Sequence, residues 1–294
     1  MRHGLVVVDK PAGLTSHDVV ARLRKLFGQR RIGHAGTLDP DATGVLLVGL
    51  GQVTRLLRFL QLGTKAYRGD VVFGVATSTL DAAGDVVDRA PMPLGPDDVA
   101  AALERFRGEI DQLPPMVSAV KVGGRRLHEL ARAGETVERP LRRVRIHRLE
   151  LEAFESGPYP VATVAVECSS GTYVRTLAAD LGAALGGCAH LRGLRRLRVG
   201  SFGLDEAHPL SELEAEPGAA VLAPVEAARD LARITVDREQ ARAVSHGAVF
   251  PAAVLTSEAL PGPFAVVGPD GTLLAVYERR GVALKPAVVL SEAA

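Results

Sequence analysis

The stretch GHAGTLDPDATGVLLVGL, residues 33–50, joins a loop rich in turn-forming residues to a short apolar run. The glycines on either side of His34 allow the backbone to approach a ligand closely. VLLVGL has the length and apolar character of a buried strand, and loops supported by rigid strands often hold reactive groups. The stretch therefore predicts a loop that presents a carboxylate, from Asp39 or Asp41, at the edge of a strand.

These two aspartates admit more than one interpretation. If LDPD is extended, side chains two residues apart leave the same face and lie in similar surroundings, so nothing separates their pKa values as an acid–base pair requires. One functional carboxylate is therefore favoured over a glycosidase-like pair. An Asp-Pro dipeptide is more often a plain turn, and the loop by itself leaves that interpretation open.

The segments around this loop predict a fold of the α+β class. GLVVVDK (4–10) is typical of a buried strand, and Ser16 can N-cap a helix that Gly28 ends. YRGDVVFGV (67–75) and VATVAVEC (161–168) alternate as half-buried strands do. Such alternation favours antiparallel neighbours, so we expect a mixed, largely antiparallel sheet with flanking helices.

Changes in composition predict a larger and a smaller domain. Prolines, glycines and acidic residues loosen the pattern over residues 206–232, which we expect to form an acidic linker or helical segment. Residues 1–205 then form the larger domain. Residues 233–294 form a small β-rich domain with a hairpin that turns at GPDG (268–271).

Composition excludes several classes of protein. No apolar run is long enough to span a bilayer or to form a signal-peptide core, so we expect a cytoplasmic protein without membrane contact. Cys168 and Cys188 form no CxxC motif, which argues against a disulfide framework and a cysteine zinc site. The eight histidines include no HExxH motif or close pair, so no metal site is expected.

The charges are segregated although the net charge is only +1. Positive charges accumulate in three segments: five without an opposing acid in 22–31, nine against three glutamates in 121–148, and four in 191–198. Affinity for phosphate backbones comes from such clusters rather than from net charge, so a bound polyanion is indicated. Solvated helix faces would have the same composition.

Other catalytic motifs are incomplete. Residues 45–60 imitate a dinucleotide-binding fingerprint, but Thr54 replaces the third small residue and no regular βαβ succession follows. The sequence has neither a Walker loop nor a GxSxG serine elbow. Arg175 falls in the first turn of a predicted helix, where the dipole disfavours a cation. That position indicates a carboxylate partner elsewhere, although an exposed arginine without a role fits equally.

Blocks of the sequence together resemble the TruB-type tRNA pseudouridine synthases, in that family's order. The matching blocks are LVVVDKPAGLTSHDVV (5–20), RIGHAGTLDPDATGVLLVGLGQVTRL (31–56), KAYRGDVVFGVATSTLDAAGDVV (65–87), PPMVSAVKVGGRRLHELARAGE (114–135), CSSGTYVRTLAADLG (168–182) and AHLRGLRRLRVGSF (189–202).

The resemblance implies a pseudouridine synthase catalytic domain with a thumb insertion at about 116–143, and a C-terminal RNA-binding domain of the PUA type. Members of the family isomerise one uridine in the T-loop of tRNA, conventionally position 55, without a cofactor or a metal. The implied partner is therefore the T-arm of tRNA. No membrane and no obligatory protein partner are expected, and the protein is expected to be a monomer.

The resemblance also assigns site residues. Asp39 matches the catalytic aspartate, with Asp41 as a turn residue, Arg175 matches the arginine that pairs with the catalytic carboxylate, and Tyr67 matches the aromatic that stacks on the target base. The other substrate-binding matches are His34, which helps to splay the loop bases, and Tyr173 and Leu194, which line the pocket. Contacts with the RNA backbone are expected from cations of the basic segments, namely Lys121, Arg125, Arg126, Arg195 and Arg196.

These residue types suit the isomerisation. One ionised carboxylate can attack the ribose carbon or remove a neighbouring ribose proton, and the sequence leaves both routes open. An arginine beside the carboxylate keeps it ionised, and an aromatic ring can receive a base that has left its stack. A tRNA-binding chaperone without catalysis is the alternative, because the same cations would serve it.

Overall fold

The computed structural model describes residues 1–118, 121–122, 124–127, 135, 137–255 and 260–290. The chain divides into two compact units. The first comprises residues 1–40, 44–63 and the chain from Val199 onwards, and the second comprises residues 41–43 and 64–198. The domain boundaries expected from composition stay predictions.

Strands and helices alternate irregularly along the chain. The strands are β1 (Gly4–Lys10), β2 (Ile32–Ala35), β3 (Thr43–Leu50), β4 (Lys65–Phe73), β5 (Val75–Thr77), β6 (Val86–Arg89), β7 (Gly108–Gln112), β8 (Lys121–Val122), β9 (Arg125–Arg126), β10 (Arg142–Glu155), β11 (Val161–Cys168), β12 (Ala189–Val199), β13 (Phe202–Gly203), β14 (His208–Pro209), β15 (Ala232–Thr235), β16 (Phe250–Pro251), β17 (Phe264–Val267), β18 (Leu273–Arg280) and β19 (Ala283–Val289). The α-helices are α1 (Ser16–Phe27), α2 (Leu57–Leu60), α3 (Pro96–Glu104), α4 (Val174–Ala184), α5 (Leu210–Ala215), α6 (Arg238–Ser245) and α7 (Ala252–Leu255).

The first unit contains the predicted buried strand VLLVGL as part of β3. β3 pairs antiparallel with both β1 and β2, and β14 runs parallel to β1. After β3 the chain forms a 3-10 helix and the one-turn helix α2 rather than the long helix of a dinucleotide fingerprint. The mixture of strands and helices confirms the α+β class.

Helix α1 connects β1 to β2, and its N-cap lies one residue before the expected one. Thr15, not Ser16, is the N-cap: its hydroxyl accepts the Asp18 N–H, and the Asp18 carboxylate accepts the Thr15 N–H. Ser16 is therefore the first helical residue, and it is buried. The helix ends at Gly28, as predicted, in the left-handed conformation that favours glycine.

A separate sheet forms from the C-terminal strands in the order β15-β17-β18-β19-β16. The predicted hairpin is confirmed, because β17 and β18 are antiparallel and the chain turns between them at residues 268–271. Phe264, Tyr277 and Leu284 form part of its core, against which Val244 of α6 packs.

In the second unit the strand order is β12-β4-β11-β10-β7. The two alternating segments predicted as half-buried strands form β4 and β11, which pair antiparallel with Tyr67 opposite Val166. Helix α3 contacts β10 and α4. Within the expected thumb, β8 and β9 form a short hairpin, and residues 119–120, 123, 128–134 and 136 lie outside the described part.

Candidate active site

The loop that carries Asp39 is held on its C-terminal side by a buried lysine. Lys10, at the end of β1, is fully buried, and its ammonium donates hydrogen bonds to the carbonyls of Pro11 (2.9 Å), Leu14 (2.7 Å) and Pro40 (2.8 Å). The Gly13 N–H also donates to the Pro40 carbonyl, at 3.0 Å. Pro40, the residue after Asp39, is therefore tied through its carbonyl to the end of β1 and to the segment between β1 and α1.

A buried serine holds the other side of Asp39. The Ser16 Oγ accepts the Leu38 N–H at 2.9 Å and donates to the Leu38 carbonyl at 3.2 Å. Together with Lys10, this serine brackets Asp39 from both sides in sequence. Neither residue was predicted as part of the site, although a lysine at the end of an apolar strand is a signal that could have identified Lys10.

His34 and the loop glycines lie in the same unit. His34 is partly exposed in the short strand β2, opposite Val48 of β3. Gly36 adopts a φ of 84° and Gly44 a φ of 100°, which L side chains rarely adopt. Glycine is therefore favoured at position 36 by its conformation, and the close approach of a ligand to the backbone beside His34 stays a prediction.

Arg175 is buried in the first turn of α4, so the interpretation as an exposed arginine is wrong. Its guanidinium donates to the Asp81 carboxylate and the Thr79 carbonyl, each at 3.1 Å, and to the Val117 carbonyl at 2.9 Å. Asp81 is itself held by the hydroxyl of Thr79 and the N–H of Ala83. A carboxylate partner was expected from the position of Arg175 in the helix, but Asp81 was not recognised in the sequence.

The pairing of Arg175 with Asp39 stays a prediction, since the two residues belong to different units. What the structure brings together on the side of Arg175 is a carboxylate and two carbonyls. All three acceptors fix the direction of a planar guanidinium, whose donors have a rigid geometry. Arg175 is thus a pre-oriented buried cation.

The expected pocket residues Tyr67, Tyr173 and Leu194 all lie in the second unit. Tyr67 lies in β4 and is 8% exposed. Leu194 of β12 lies close to β4, because a Cβ on Gly69 would meet the Leu194 Cδ1 at 3.3 Å. Tyr173 precedes α4, and its backbone N–H and carbonyl bond to the Gln112 amide at 2.9 and 3.3 Å.

Lys65 is a further buried cation, two residues before Tyr67 in β4. Successive alternate residues of a strand lie on one face, so the two side chains leave β4 on the same side. Burial lowers the pKa of Lys65 to about 8, and the nearby positive charge of Arg196 adds to this. Sequence reasoning did not single out Lys65.

The cations expected at the RNA backbone are in different situations. Arg125 is exposed and pairs with Glu135 at 3.1 Å, and Arg195 donates to the Thr43 hydroxyl at 3.2 Å. Lys121 and Arg126 face each other across the β8–β9 hairpin, and their side chains lie outside the described part. Arg196 is only 1% exposed, so the expectation that it contacts an RNA backbone from the surface is corrected.

The described residues contain no group of three or more His, Cys, Asp or Glu side chains arranged to hold a metal ion. Cys168 and Cys188 are free thiols, and burial raises the pKa of Cys168 to about 11. Among the described helices none is long and apolar enough to cross a membrane.

Comparison with known proteins covers nearly the whole chain. Residues 24–174 match the family described as TruB family pseudouridylate synthase (N terminal domain). Residues 175–229 match the tRNA pseudouridylate synthase B C-terminal domain, and residues 231–291 match tRNA Pseudouridine synthase II, C terminal.

Similar curated proteins carry one name. The chain is 46% identical over 293 residues to the tRNA pseudouridine synthase B of Mycobacterium sp. (strain KMS), covering 99% of this chain and 97% of that protein. It is 53% identical over 245 residues to the protein of that name from Symbiobacterium thermophilum, covering 83% and 82%. A solved structure described as a Cbf5-Nop10-Gar1 complex matches with a TM-score of 0.76 and 27% identity, covering 97% of this chain and 84% of that one.

Proposed function

The chain belongs to the TruB family of pseudouridylate synthases, and we propose that the uridine it isomerises is position 55 in the T-loop of tRNA. Its similarity to enzymes named tRNA pseudouridine synthase B extends over nearly the full length of both chains. The protein is accordingly a tRNA pseudouridine synthase. The observation that best supports Asp39 as its catalytic residue is that two buried side chains, Ser16 and Lys10, hydrogen-bond to the backbone of Leu38 and Pro40 on either side of it.

Asp39 supplies the carboxylate that starts the reaction. Ionised, it attacks C1′ of the target nucleotide or removes a proton from C2′, and on either route the bond from C1′ to N1 breaks and uracil is freed. Arg175 beside the carboxylate favours its ionised form. The backbone hydrogen bonds around Asp39 reduce the reorganisation that this step requires.

The freed uracil must be held while it turns. Tyr67 offers a ring face to a base that has left its stack, and Tyr173 and Leu194 line the pocket in which the base rotates until C5 faces C1′. The new bond forms from C5 to C1′ while the bond from Asp39 to C1′ breaks or, on the other route, while Asp39 returns the proton to C2′. The proton on C5 is then lost, and N1 gains a proton. No atom or electron is gained overall, so the chemistry requires no redox cofactor.

The tRNA substrate is the partner in this proposal. His34 separates bases of the T-loop, and cations of the basic segments hold the phosphates on either side. The matched solved structure is described as a complex of Cbf5 with two other proteins, whereas we propose that this chain acts on tRNA without a protein partner.

The decisive experiment is tritium release from C5-tritiated uridine in an unmodified tRNA transcript. Wild-type protein is expected to release tritium, and a transcript with cytidine at position 55 is expected to release none. Asp39→Asn should bind tRNA and lose turnover by several orders of magnitude. Asp41→Asn, two residues away and exposed, is the matched control and should retain turnover.

Other outcomes would contradict parts of the proposal. Release from the cytidine-55 transcript would place the target uridine elsewhere. Equal turnover by wild type and Asp39→Asn would remove Asp39 from the chemistry. Binding of tRNA without release by the wild-type protein would favour the chaperone considered from the sequence.

A further inference from the structure

Ser16 is a buried hydroxyl that the helix containing it does not use. It is 1% exposed, and the N-cap of α1 is supplied by its neighbour Thr15, whose hydroxyl accepts the Asp18 N–H at 3.0 Å. A buried polar group requires a partner, and the Ser16 hydroxyl finds two on Leu38, the residue that precedes Asp39. The contact joins residues 22 positions apart in sequence.

The two hydrogen bonds engage both backbone groups of a single residue. Leu38 is itself 3% exposed, and the Ser16 hydroxyl supplies a partner for both its N–H and its carbonyl, as buried backbone groups require. On the other side of Asp39, the Pro40 carbonyl accepts from Lys10 and Gly13. The residues before and after Asp39 are therefore both attached through their backbone to residues 10–16, where the chain passes from β1 into α1.

We propose that Ser16 is a positioning residue for Asp39: by holding Leu38 it sets the place and direction of the Asp39 carboxylate. The inference rests on the proposed function, in which Asp39 is catalytic. Ser16 does not touch the substrate in this proposal and acts only through the backbone. Lys10 contributes from the C-terminal side, but it binds three carbonyls of which one lies in the loop. The hydroxyl of Ser16, within the described part of the chain, bonds to Leu38 alone.

Removing the hydroxyl should affect the chemical step more than tRNA binding. In Ser16→Ala the Leu38 N–H and carbonyl lose their partner in a buried site, and the loop must shift to satisfy them. A displacement of about 1 Å in a catalytic group reduces rates by about 100-fold. We expect the single-turnover rate to fall by about 10- to 100-fold while the Kd for tRNA changes by less than about 2-fold.

Two further variants separate positioning from packing. Ser16→Cys fills nearly the same space but hydrogen-bonds weakly, so it should behave as Ser16→Ala does. Val20→Ala removes a buried side chain one turn further along the same helix and leaves the Ser16 hydroxyl in place, so it should lower thermal stability without reducing the single-turnover rate. Thermal unfolding, tRNA binding and single-turnover tritium release are measured for all three and for the wild type.

Amide hydrogen exchange supplies a measurement that does not depend on activity. The Leu38 N–H should be protected in the wild type and in Val20→Ala, and should exchange faster in Ser16→Ala. The positioning role would be contradicted by an unchanged single-turnover rate in Ser16→Ala, by a wild-type single-turnover rate in Ser16→Cys, or by an equal loss of that rate in Val20→Ala. Absence of turnover in the wild type would instead refute the proposed function, leaving the exchange result to decide whether Ser16 holds the loop.

Discussion

Two arginine–carboxylate pairs of equal length lie in very different surroundings. Arg175 and Asp81 are 3.1 Å apart with side chains 7% and 21% exposed, whereas Arg125 and Glu135 are 3.1 Å apart with side chains 53% and 49% exposed. Exposed pairs of this kind contribute about 0–1 kcal/mol, but removing one member of a buried pair leaves an uncompensated charge and destabilises by about 3–5 kcal/mol. The distance between the atoms is the same, and burial decides how much each pair contributes to stability.

The same contrast separates the basic segments identified from composition. Arg143 pairs with Asp111 and Arg148 with Glu150, so part of the positive charge at residues 121–148 is locally neutralised. Over residues 22–31, by contrast, no arginine or lysine has a carboxylate within ion-pair distance among the described residues. Counting charges along the sequence therefore overstates the positive charge that residues 121–148 can offer to RNA. It does not overstate the positive charge of residues 22–31.

The largest effect is expected from the buried pair. Asp81→Asn keeps the shape of the side chain but removes the negative charge opposite Arg175, so the guanidinium loses one of the acceptors that fix its direction. We expect single-turnover tritium release to fall by about 100-fold, together with a lower melting temperature. Glu135→Gln is the matched control at the exposed pair, and its melting temperature should remain within about 1 °C of wild type because exposed pairs contribute little.

Equal behaviour of the two variants would contradict the conclusion that burial separates the two pairs. If Asp81→Asn kept full turnover, the ion pair with Arg175 would be dispensable for catalysis. If Glu135→Gln reduced stability as much as Asp81→Asn, exposure would not be the quantity that separates the two pairs.

A smaller effect is expected from the buried cation Lys65. Its pKa in the folded protein is about 8, against an ordinary value of 10.5, because burial disfavours the charge. Between these pH values the unfolded chain binds more protons than the folded protein, so this group makes the free energy of unfolding rise with pH. Below about pH 8 both states are protonated and the folded state carries the full desolvation penalty.

Lys65→Met removes this titration. Urea unfolding of both proteins at several pH values from 7 to 10.5 measures the difference in unfolding free energy. The advantage of Lys65→Met over wild type should shrink as the pH rises through this window. A difference that is constant with pH would show that Lys65 is not desolvated as the structure implies. The raised pKa of Cys168 acts in the opposite direction and is itself lowered by the charge of Lys65, so both proteins carry Cys168→Ala in this measurement.

The features predicted from the sequence and the features missed differ in how local their signals are. The strand β3 and the hairpin at residues 268–271 follow from neighbouring residues, and both were predicted. The bond between Arg175 and Asp81 joins residues 94 positions apart, which no local pattern reports. Thr15 and Ser16 are both good N-caps, so propensity could not choose between them, and tertiary contacts assigned the hydroxyl of Ser16 to Leu38.

The smallest effect is expected at the protein surface, where the two basic segments can be compared directly. Replacing Arg22 and Lys25 by glutamine removes two exposed charges without an ion-pair partner among the described residues, whereas replacing Arg143 and Arg148 removes two that are paired. Each lost phosphate contact reduces the slope of log K against log salt by about 0.7–0.9.

Filter binding of tRNA from 50 to 300 mM salt should therefore give a slope lower by about 1–2 for the first variant and nearly unchanged for the second. Equal changes would mean that ion pairing within the protein does not limit contact with RNA. An unchanged slope for Arg22→Gln/Lys25→Gln would indicate that this face of α1 is solvated and does not contact the RNA. Since kcat depends on the buried groups and not on this surface, turnover at saturating tRNA should be the same in both variants, which keeps the two halves of the comparison experimentally separate.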